Sequence, residues 1–463
     1  MVVLNKEMFR EYDIRGREEP GELSPESIAF IGRGFASMLT SRGVARVVVG
    51  RDNRHSSAEF ESTMTQALVD SGMEVIRLGL VLTPMMYWSQ HFYDSLGGVM
   101  ITASHNPVGW NGLKLATEKT VTLTRKDILT LYSTIEREEF VSGEGSASNP
   151  PDVAGQYTRD LVARVQVEAG MKVVLNTGNG TAGPMASELL SAAGCEVVGL
   201  NLEPDPTFPN YTPDPATPVM MEDTAKLVRS TQASVGFAID GDGDRLGVVA
   251  ENGEIIWPDR YLALLARQVL AAKPGSKIVF DVKSSQALAE DIEAHGGVPV
   301  MCPTGHSWVK AEMRKVGAAL GGEASGHIFI VDGYYGFDDA LFAALRLLDY
   351  MTAAGKPLSE LMADVPSYPS SPTYHAHCAD DRKYEVVRQL TERFGERFKV
   401  IDINGARVVF DDGWGLVRAS SNLPALVLRF EASSEERVAE IERLFREELS
   451  GFPEVDPAWS LTS

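Results

Sequence analysis

Apolar runs of four or five residues alternate with polar loops and helix-period stretches, and the alternation comes in three similar rounds. Ala45–Val49, Met171–Leu175 and Ser276–Phe280 each predict a buried strand, followed by a loop that begins Gly50-Arg51-Asp52, Asn176-Thr177-Gly178 or Asp281-Val282-Lys283. A helix comes next and ends near Gly72, Gly194 or Gly296; a second strand follows at Glu74–Ile76, Glu196–Val198 or Val298–Val300. A third apolar stretch then closes each round on an unusual loop. In the first round it is Gly98–Ile101 followed by Thr102-Ala103-Ser104-His105-Asn106-Pro107. In the second it is Val235–Ile239 followed by Asp240-Gly241-Asp242-Gly243-Asp244-Arg245, and in the third Gly317–Leu320 followed by Gly322-Glu323-Ala324-Ser325-Gly326-His327. Such strand–helix alternation predicts helix-covered, mainly parallel α/β sheets. A repeated layout also predicts that the equivalent loops meet at a common cleft.

Breaker-rich stretches mark the boundaries. Val141–Ser146 through Pro150-Pro151 separates the first two rounds, Asn252-Gly253-Glu254 is the expected seam before the third, and Pro366–Pro372 ends it. The expected domains are 1–150, 151–253, 254–366 and 367–463. The proline-rich segment from Pro204 to Pro218 reads as a long structural or functional loop within the second. The last domain has a different pattern: a strand at Thr373–His377, a helix at Lys383–Phe394, and strands near Ala406–Phe410, Gly415–Arg418 and Ala425–Glu431. A terminal helix, Glu435–Leu449, carries an apolar stripe at Val438, Ile441, Leu444, Phe445 and Leu449. This is a small α+β domain.

At 463 residues the chain exceeds one hydrophobic core, and 44% hydrophobic with 23% charged residues is a soluble globular composition. A net charge of −21 argues against nucleic-acid binding and requires that any anionic ligand be captured by a local cationic cluster. Cys195, Cys302 and Cys378 are scattered, which fits a reducing cytoplasm rather than a disulfide framework. Met1–Gly16 lacks the apolar core of a signal peptide, and no apolar run is long enough to span a membrane.

The chemistry concentrates in the unusual loops. Glycines between Asp240, Asp242 and Asp244 remove bulk, so three carboxylates can converge; they repel unless a hard cation lies between them. Oxygen-only ligation favours Mg²⁺, Mn²⁺ or Ca²⁺ over Zn²⁺. An EF-hand competes, with Glu251 at loop position twelve, but Arg245 replaces the required glycine and the segment enters from a strand. A metal with few protein ligands leaves room for phosphate oxygens, and Arg245 adds a clamp, which points to phosphoryl transfer. Ser104 then becomes the phosphoryl carrier, since a serine hydroxyl needs activation to act as a nucleophile. Glu323, Ser325 and His327 suit a polyhydroxylated ligand; Arg418, Ser420, Ser421 and Asn422 suit a phosphate. Tyr12 and Arg15 form an N-terminal polar cluster; Lys114, Lys283 and His306 stand as single residues. Gly178–Gly183 with Glu203 matches a dinucleotide fingerprint and keeps an NAD-dependent dehydrogenase open. No G-x-S-x-G elbow surrounds Ser104, which argues against a serine hydrolase. His375, His377 and Cys378 read as a strand before a metal cluster.

Together and in this order, TASHNP, DGDGDR, GEASGH and RASSNLP resemble the α-D-phosphohexomutase superfamily, and within it bacterial phosphomannomutase/phosphoglucomutase, over essentially the whole chain. The resemblance implies three related mixed-sheet α/β domains plus a C-terminal α+β domain around a central active-site cleft. It implies an isomerase in which phosphorylated Ser104 passes its phosphoryl group to a hexose 1- or 6-phosphate. The hexose 1,6-bisphosphate so formed, which also serves as activator, then returns its other phosphoryl group to Ser104. One Mg²⁺ is implied on Asp240, Asp242, Asp244 and the Ser104 phosphate. Arg15, Lys114, Arg245 and His306 match residues of charge stabilisation and proton transfer. Glu323 and Ser325 match residues that hold sugar hydroxyls. Tyr12, Arg245, Lys283, His306, His327, Arg418, Ser420, Ser421 and Asn422 match substrate contacts. Asn422 stands where the family usually has threonine, and Ala324 where a larger residue is common. A phosphoglucosamine mutase is therefore the alternative within the class, although TASHNP leans toward glucose and mannose. The resemblance implies phosphosugar partners and leaves the oligomeric state open, a monomer included.

Overall fold

The computed structural model describes residues 4–19, 22–421 and 423–461. They divide into two compact units, Met1–Leu265 with Ser325–Ala363, and Ala266–Ala324 with Asp364–Ser463. Both units draw on the third segment of the sequence pattern.

The first unit carries two mixed sheets. In the first, β1 (Ile14–Arg17), β2 (Arg46–Arg51), β3 (Glu74–Leu80), β4 (Gly97–Ile101), β5 (Trp110–Glu118) and β7 (Ser146–Ser148) run in the order β1-β5-β4-β2-β3-β7, and β6 (Val121–Thr122) pairs with β5. The strands β2, β3, β4 and β7 pair in parallel, while β5 is antiparallel to both β1 and β4. Helix Pro25–Ser41 begins with a Ser24–Ser27 capping box and a proline in its first turn. Its Ile28, Ile31, Phe35 and Leu39 recur at helical spacing and join Val47, Val49 and Ile101 in one core. Each such side chain, fully buried, contributes about 1.5–3 kcal/mol.

The second sheet contains β8 (Lys172–Asn176), β9 (Glu196–Leu200), β10 (Val235–Ile239), β11 (Leu246–Ala250) and β12 (Ile255–Ile256), in the order β12-β11-β10-β8-β9. Asn252-Gly253-Glu254, expected as a seam, is the turn between the antiparallel strands β11 and β12.

In the second unit, β13 (Lys277–Asp281) lies between β14 (Val298–Cys302) and β15 (Leu320–Gly322), all parallel. The strand expected at Gly317–Leu320 starts at Leu320, because Gly317 is the left-handed cap (φ 67°) of helix His306–Val316. The short strand β16 (Ile328–Ile330) lies in the first unit. The last sheet is antiparallel: β17 (Tyr374–His377), β18 (Lys399–Ile401), β19 (Ala406–Phe410), β20 (Gly413–Ala419), β21 (Ala425–Ala432) and β22 (Trp459–Leu461), ordered β18-β19-β20-β21-β17-β22. Helices Lys383–Gly395 and Glu435–Leu449 cover it, and Val438, Ile441, Phe445 and Leu449 of the expected stripe are buried in its core. Within this unit the buried Arg407 donates to Val282 O (2.6 Å) and Ser284 O (2.9 Å) and stacks 3.8 Å from the Trp414 ring centre.

Candidate active site

Ser104 follows the fully buried strand β4 and adopts φ 51°, a left-handed conformation that L-residues rarely take. Its local surroundings hold it there. The Ser104 N–H donates to Thr102 Oγ1 (2.8 Å). The buried Arg54 guanidinium donates to the carbonyls of Ser104 (2.8 Å), Asn106 (2.6 Å), Pro107 (3.0 Å) and Trp110 (2.9 Å). Asp52 in turn lies 3.2 Å from Arg54 Nε, and the guanidinium carbon lies 5.2 Å from the Phe208 ring centre. Phe208 belongs to the proline-rich loop, which is thus a brace. Its Pro213 carbonyl accepts the Gly241 N–H (3.2 Å).

The Asp240–Arg245 loop leaves the buried strand β10 and folds around its own first carboxylate. Asp240 Oδ1 accepts the N–H groups of Gly243 (3.0 Å), Asp244 (3.1 Å) and Arg245 (3.2 Å). Asp240 Oδ2 accepts the Ser104 hydroxyl at 2.7 Å. Glycine is needed at position 241, since a Cβ there would lie 2.4 Å from Ser104 O. Lys114, placed by β5 opposite Met100, donates to Asp242 Oδ2 (2.8 Å) and to Asp244. The Thr83 hydroxyl also donates to Asp242.

All three aspartates are fully buried, and one oxygen from each lies within 4.8 Å of the others. Burial, with Asp244 and Asp242 adding to it, pushes the Asp240 carboxyl well above the usual range. At Asp244 burial has the same sense, but Lys114 and His327 outweigh it and hold that carboxyl well below the range. Burial also works against the Lys114 charge, yet Asp242 and Asp244 hold it protonated. Lys114 is shared by Asp242 and Asp244, and a divalent cation beside them would hold the raised Asp240 carboxyl ionised as well. Asp242 Oδ1 is buried with no hydrogen-bond partner among the described residues. An orphaned carboxylate oxygen in an oxygen-only set fits a hard cation such as Mg²⁺.

The remaining expected residues of this unit gather nearby. Arg15 reaches from β1 to Asp13 (2.7 Å) and Asn106 Oδ1 (2.5 Å), with the buried Tyr12 close enough to act on its charge. Arg245 Nε lies 3.4 Å from His327 Nε2, which is 3.3 Å from Asp244 Oδ1; His327 Nδ1 is 3.0 Å from Ser325 Oγ. Two further side chains, not singled out as site residues in the sequence, also meet Ser104. Arg54 lies in a plain polar loop, and its role depends on four distant carbonyls. His105 lies inside the serine loop, its Nδ1 3.0 Å from Ser104 Oγ. Burial, with Arg245 and Arg15 adding to it, pushes the His105 imidazole well below its ordinary value, so it is neutral.

In the second unit, Asp281 Oδ2 accepts the Thr304 hydroxyl (2.8 Å) and lies 3.7 Å from Lys283 Nζ. Glu323 Oε1 accepts the Gly305 N–H (2.6 Å), next to the buried His306. Asn404 Oδ1 accepts both the Thr304 N–H (3.4 Å) and Arg418 Nε (2.7 Å), and Arg418 also donates to Ser421 Oγ (3.2 Å). Burial, with Lys283 and Arg418 adding to it, pushes His375 below its ordinary value, so both cations are within its electrostatic reach. Lys283, His306, Glu323, Arg418, Ser420 and Ser421 thus belong to one unit; Asn422 lies outside the described residues.

The competing motifs have structural roles. Gly180 of the dinucleotide-like loop approaches Gly241 so closely that a Cβ would meet Gly241 Cα at 2.9 Å, and Thr181 N–H donates to Gly241 O (3.0 Å). Its glycines pack one protein loop on another. Glu251, the EF-hand candidate, accepts the Ser359 N–H and hydroxyl. His375 and His377 lie in β17.

Comparison with known proteins matches this arrangement segment by segment. Models of phosphoglucomutase/phosphomannomutase alpha/beta/alpha domains I, II and III match residues 6–142, 155–253 and 257–368, and that of the C-terminal domain matches 376–448. The chain is 40% identical over 444 residues to a phosphomannomutase/phosphoglucomutase of Pseudomonas aeruginosa, covering 96% of this chain and 95% of that protein. It is 38% identical over 457 residues to a phosphoglucomutase of Neisseria gonorrhoeae, covering 98% and 99%. A crystal structure of a phosphoglucomutase/phosphomannomutase family protein from Burkholderia thailandensis superposes with a TM-score of 0.90 at 38% identity, covering 97% and 98%. With four domain models matched in order and full-length relatives near 40% identity, the chain belongs to the phosphoglucomutase/phosphomannomutase family.

Proposed function

We propose that the chain interconverts hexose 1-phosphate and hexose 6-phosphate, of mannose, glucose or both, with Ser104 as the phosphoryl carrier. It is a mutase, hence an isomerase. The reading is carried by one observation, the Ser104 hydroxyl held 2.7 Å from Asp240 at the edge of a buried three-aspartate set. Asp240, Asp242 and Asp244 would hold Mg²⁺, which supplies charge neutralisation for phosphoryl oxygens.

The P–O bond of phosphoserine breaks as a sugar hydroxyl attacks, giving the hexose 1,6-bisphosphate and free Ser104; attack by Ser104 on its other phosphoryl group then reverses the balance. Arg15 and Arg245 steady the transferred group, and Lys114, held as a cation, neutralises Asp242 and Asp244. In the forward half the proton of the attacking sugar hydroxyl ends on Ser104 Oγ; on rephosphorylation the neutral His105 takes the Ser104 hydroxyl proton, and the departing sugar oxygen regains one. Lys283, His306, Glu323, Ser325 and His327 bind the sugar, and Arg418, Ser420, Ser421 and Asn422 its non-reacting phosphate. Loss of activity in Ser104→Ala, with the fold intact by thermal unfolding, tests the carrier. Parallel assays on glucose, mannose and glucosamine 1-phosphates decide the sugar. A relative from Methanopyrus kandleri, 34% identical, is named a probable phosphoglucosamine mutase, and turnover of the amino sugar alone would favour that reading.

A further inference from the structure

We propose that Lys383 is a positioning residue that shapes the Arg418–Ser421 loop for phosphate without touching the ligand. The inference rests on the reading of that loop as the site of the non-reacting phosphate. Lys383 is the first residue of helix Lys383–Gly395 and is 3% exposed. Both facts count against a lysine for stability, because a helix N-terminus carries positive partial charge and a buried ammonium must be fully paired.

The pairing is complete. The three N–H donors of the ammonium meet Ser420 O (2.5 Å), Leu423 O (2.9 Å) and Asp380 Oδ1 (2.6 Å). Two of these acceptors are backbone carbonyls of the loop itself, one on each side of residue 422. In a planar trans peptide the C=O and the following N–H point in opposite directions. Turning the Ser420 carbonyl onto Lys383 therefore turns the Ser421 N–H away from the ammonium, the orientation an N–H needs to donate to an anion on the other side. Arg418, oriented by Asn404 and Ser421, supplies the direct cation. Lys383 adds a second positive charge behind the loop, in a chain whose net charge of −21 opposes anion capture.

The test compares Lys383→Met, Lys383→Arg and Arg418→Ala with the wild-type enzyme. It reads kcat and KM for glucose 1-phosphate or mannose 1-phosphate, and the inhibition constant of inorganic phosphate. Lys383→Met should raise KM and the phosphate inhibition constant about tenfold or more, with kcat at saturation within about threefold. Lys383→Arg, which keeps the charge but cannot converge on three acceptors, should fall between the two. A folded Lys383→Met enzyme with both constants unchanged, beside an Arg418→Ala enzyme with both raised, overturns the role of Lys383. Unchanged constants in Arg418→Ala overturn the phosphate reading of the loop itself. If Lys383→Met does not fold, Lys383→Gln, which keeps an amide donor, is read by the same criteria.

Discussion

The Ser104 loop and the Arg418 loop are built on one device with different strength. Each wraps backbone carbonyls around a buried cation, four around Arg54 and two around Lys383. They differ in the counter-ion. Asp52 beside Arg54 is 2% exposed, whereas the Asp380 side chain beside Lys383 is 49% exposed. The serine loop is thus held by several buried contacts, as the proposed carrier role requires if phosphoryl transfer is mainly positioning. The Arg418 loop is held by Lys383, whose counter-ion faces water, together with the Leu423 N–H to Ser420 Oγ (3.1 Å) and Arg418 to Ser421 Oγ contacts of its own side chains. On the proposed reading, the comparison teaches that the cation behind the reacting loop has a buried counter-ion and the cation behind the recognition loop an exposed one.

The largest effect should break the reacting end alone. Ser104→Ala should cost at least ~10³-fold in kcat with the thermal unfolding midpoint little changed. Removing divalent cations with a chelator should abolish turnover, and Mg²⁺ should restore it. Asp242→Asn should weaken that restoration, read as a higher Mg²⁺ concentration for half-activity. Arg54→Met should lower kcat by about 10–100-fold and also destabilise the fold by about 3–5 kcal/mol, because it strands Asp52 and four carbonyls. Arg418→Ala should instead raise KM about tenfold with kcat nearly intact. If both loop variants moved kcat and KM alike, the division of labour between the loops would be wrong.

The smallest effect concerns the frame rather than either loop. Asp339 caps helix Ala340–Ala354 and accepts the hydroxyls of Tyr157 and Tyr334, each at 2.8 Å. Burial pushes its carboxyl up to about 6, against about 3.9 in an unfolded chain. The native state therefore holds this proton more tightly, and the contribution of Asp339 to stability falls as pH rises from about 4 to about 6. Asp339→Asn should remove that part of the pH dependence, measured by denaturant unfolding at several pH values.

The sequence shows the strands that feed the loops, because β4 and β10 are short apolar runs, the first ending in Thr-Ala-Ser-His-Asn-Pro and the second in glycine-spaced aspartates. It also shows Ser104 and the three aspartates, which carry their chemistry in local spacing. The antiparallel strands β5 and β11 are less legible, since nothing local in an apolar run sets its pairing direction. Nor are Arg54, His105 or Lys383 legible as functional groups. Arg54 acts on carbonyls 50 to 56 residues away, and Lys383 on carbonyls 37 and 40 residues away. The Gly178–Gly183 loop misleads for the same reason: Gly178 answers to Pro213, Gly180 to Gly241 and Gly183 to Leu202, which only the fold brings near.

The most direct test is peptide mass spectrometry of the protein after exposure to glucose 1,6-bisphosphate and Mg²⁺, and again after adding excess hexose 1-phosphate without bisphosphate. The account predicts one phosphate on Ser104 in the first sample; when that phosphate carries ¹⁸O, the second sample should show the label in the sugar phosphates and an unlabelled phosphate, brought by the hexose 1-phosphate, in its place on Ser104. An enzyme that turns over while Ser104 is never phosphorylated, or that carries its phosphate on another residue, would contradict it.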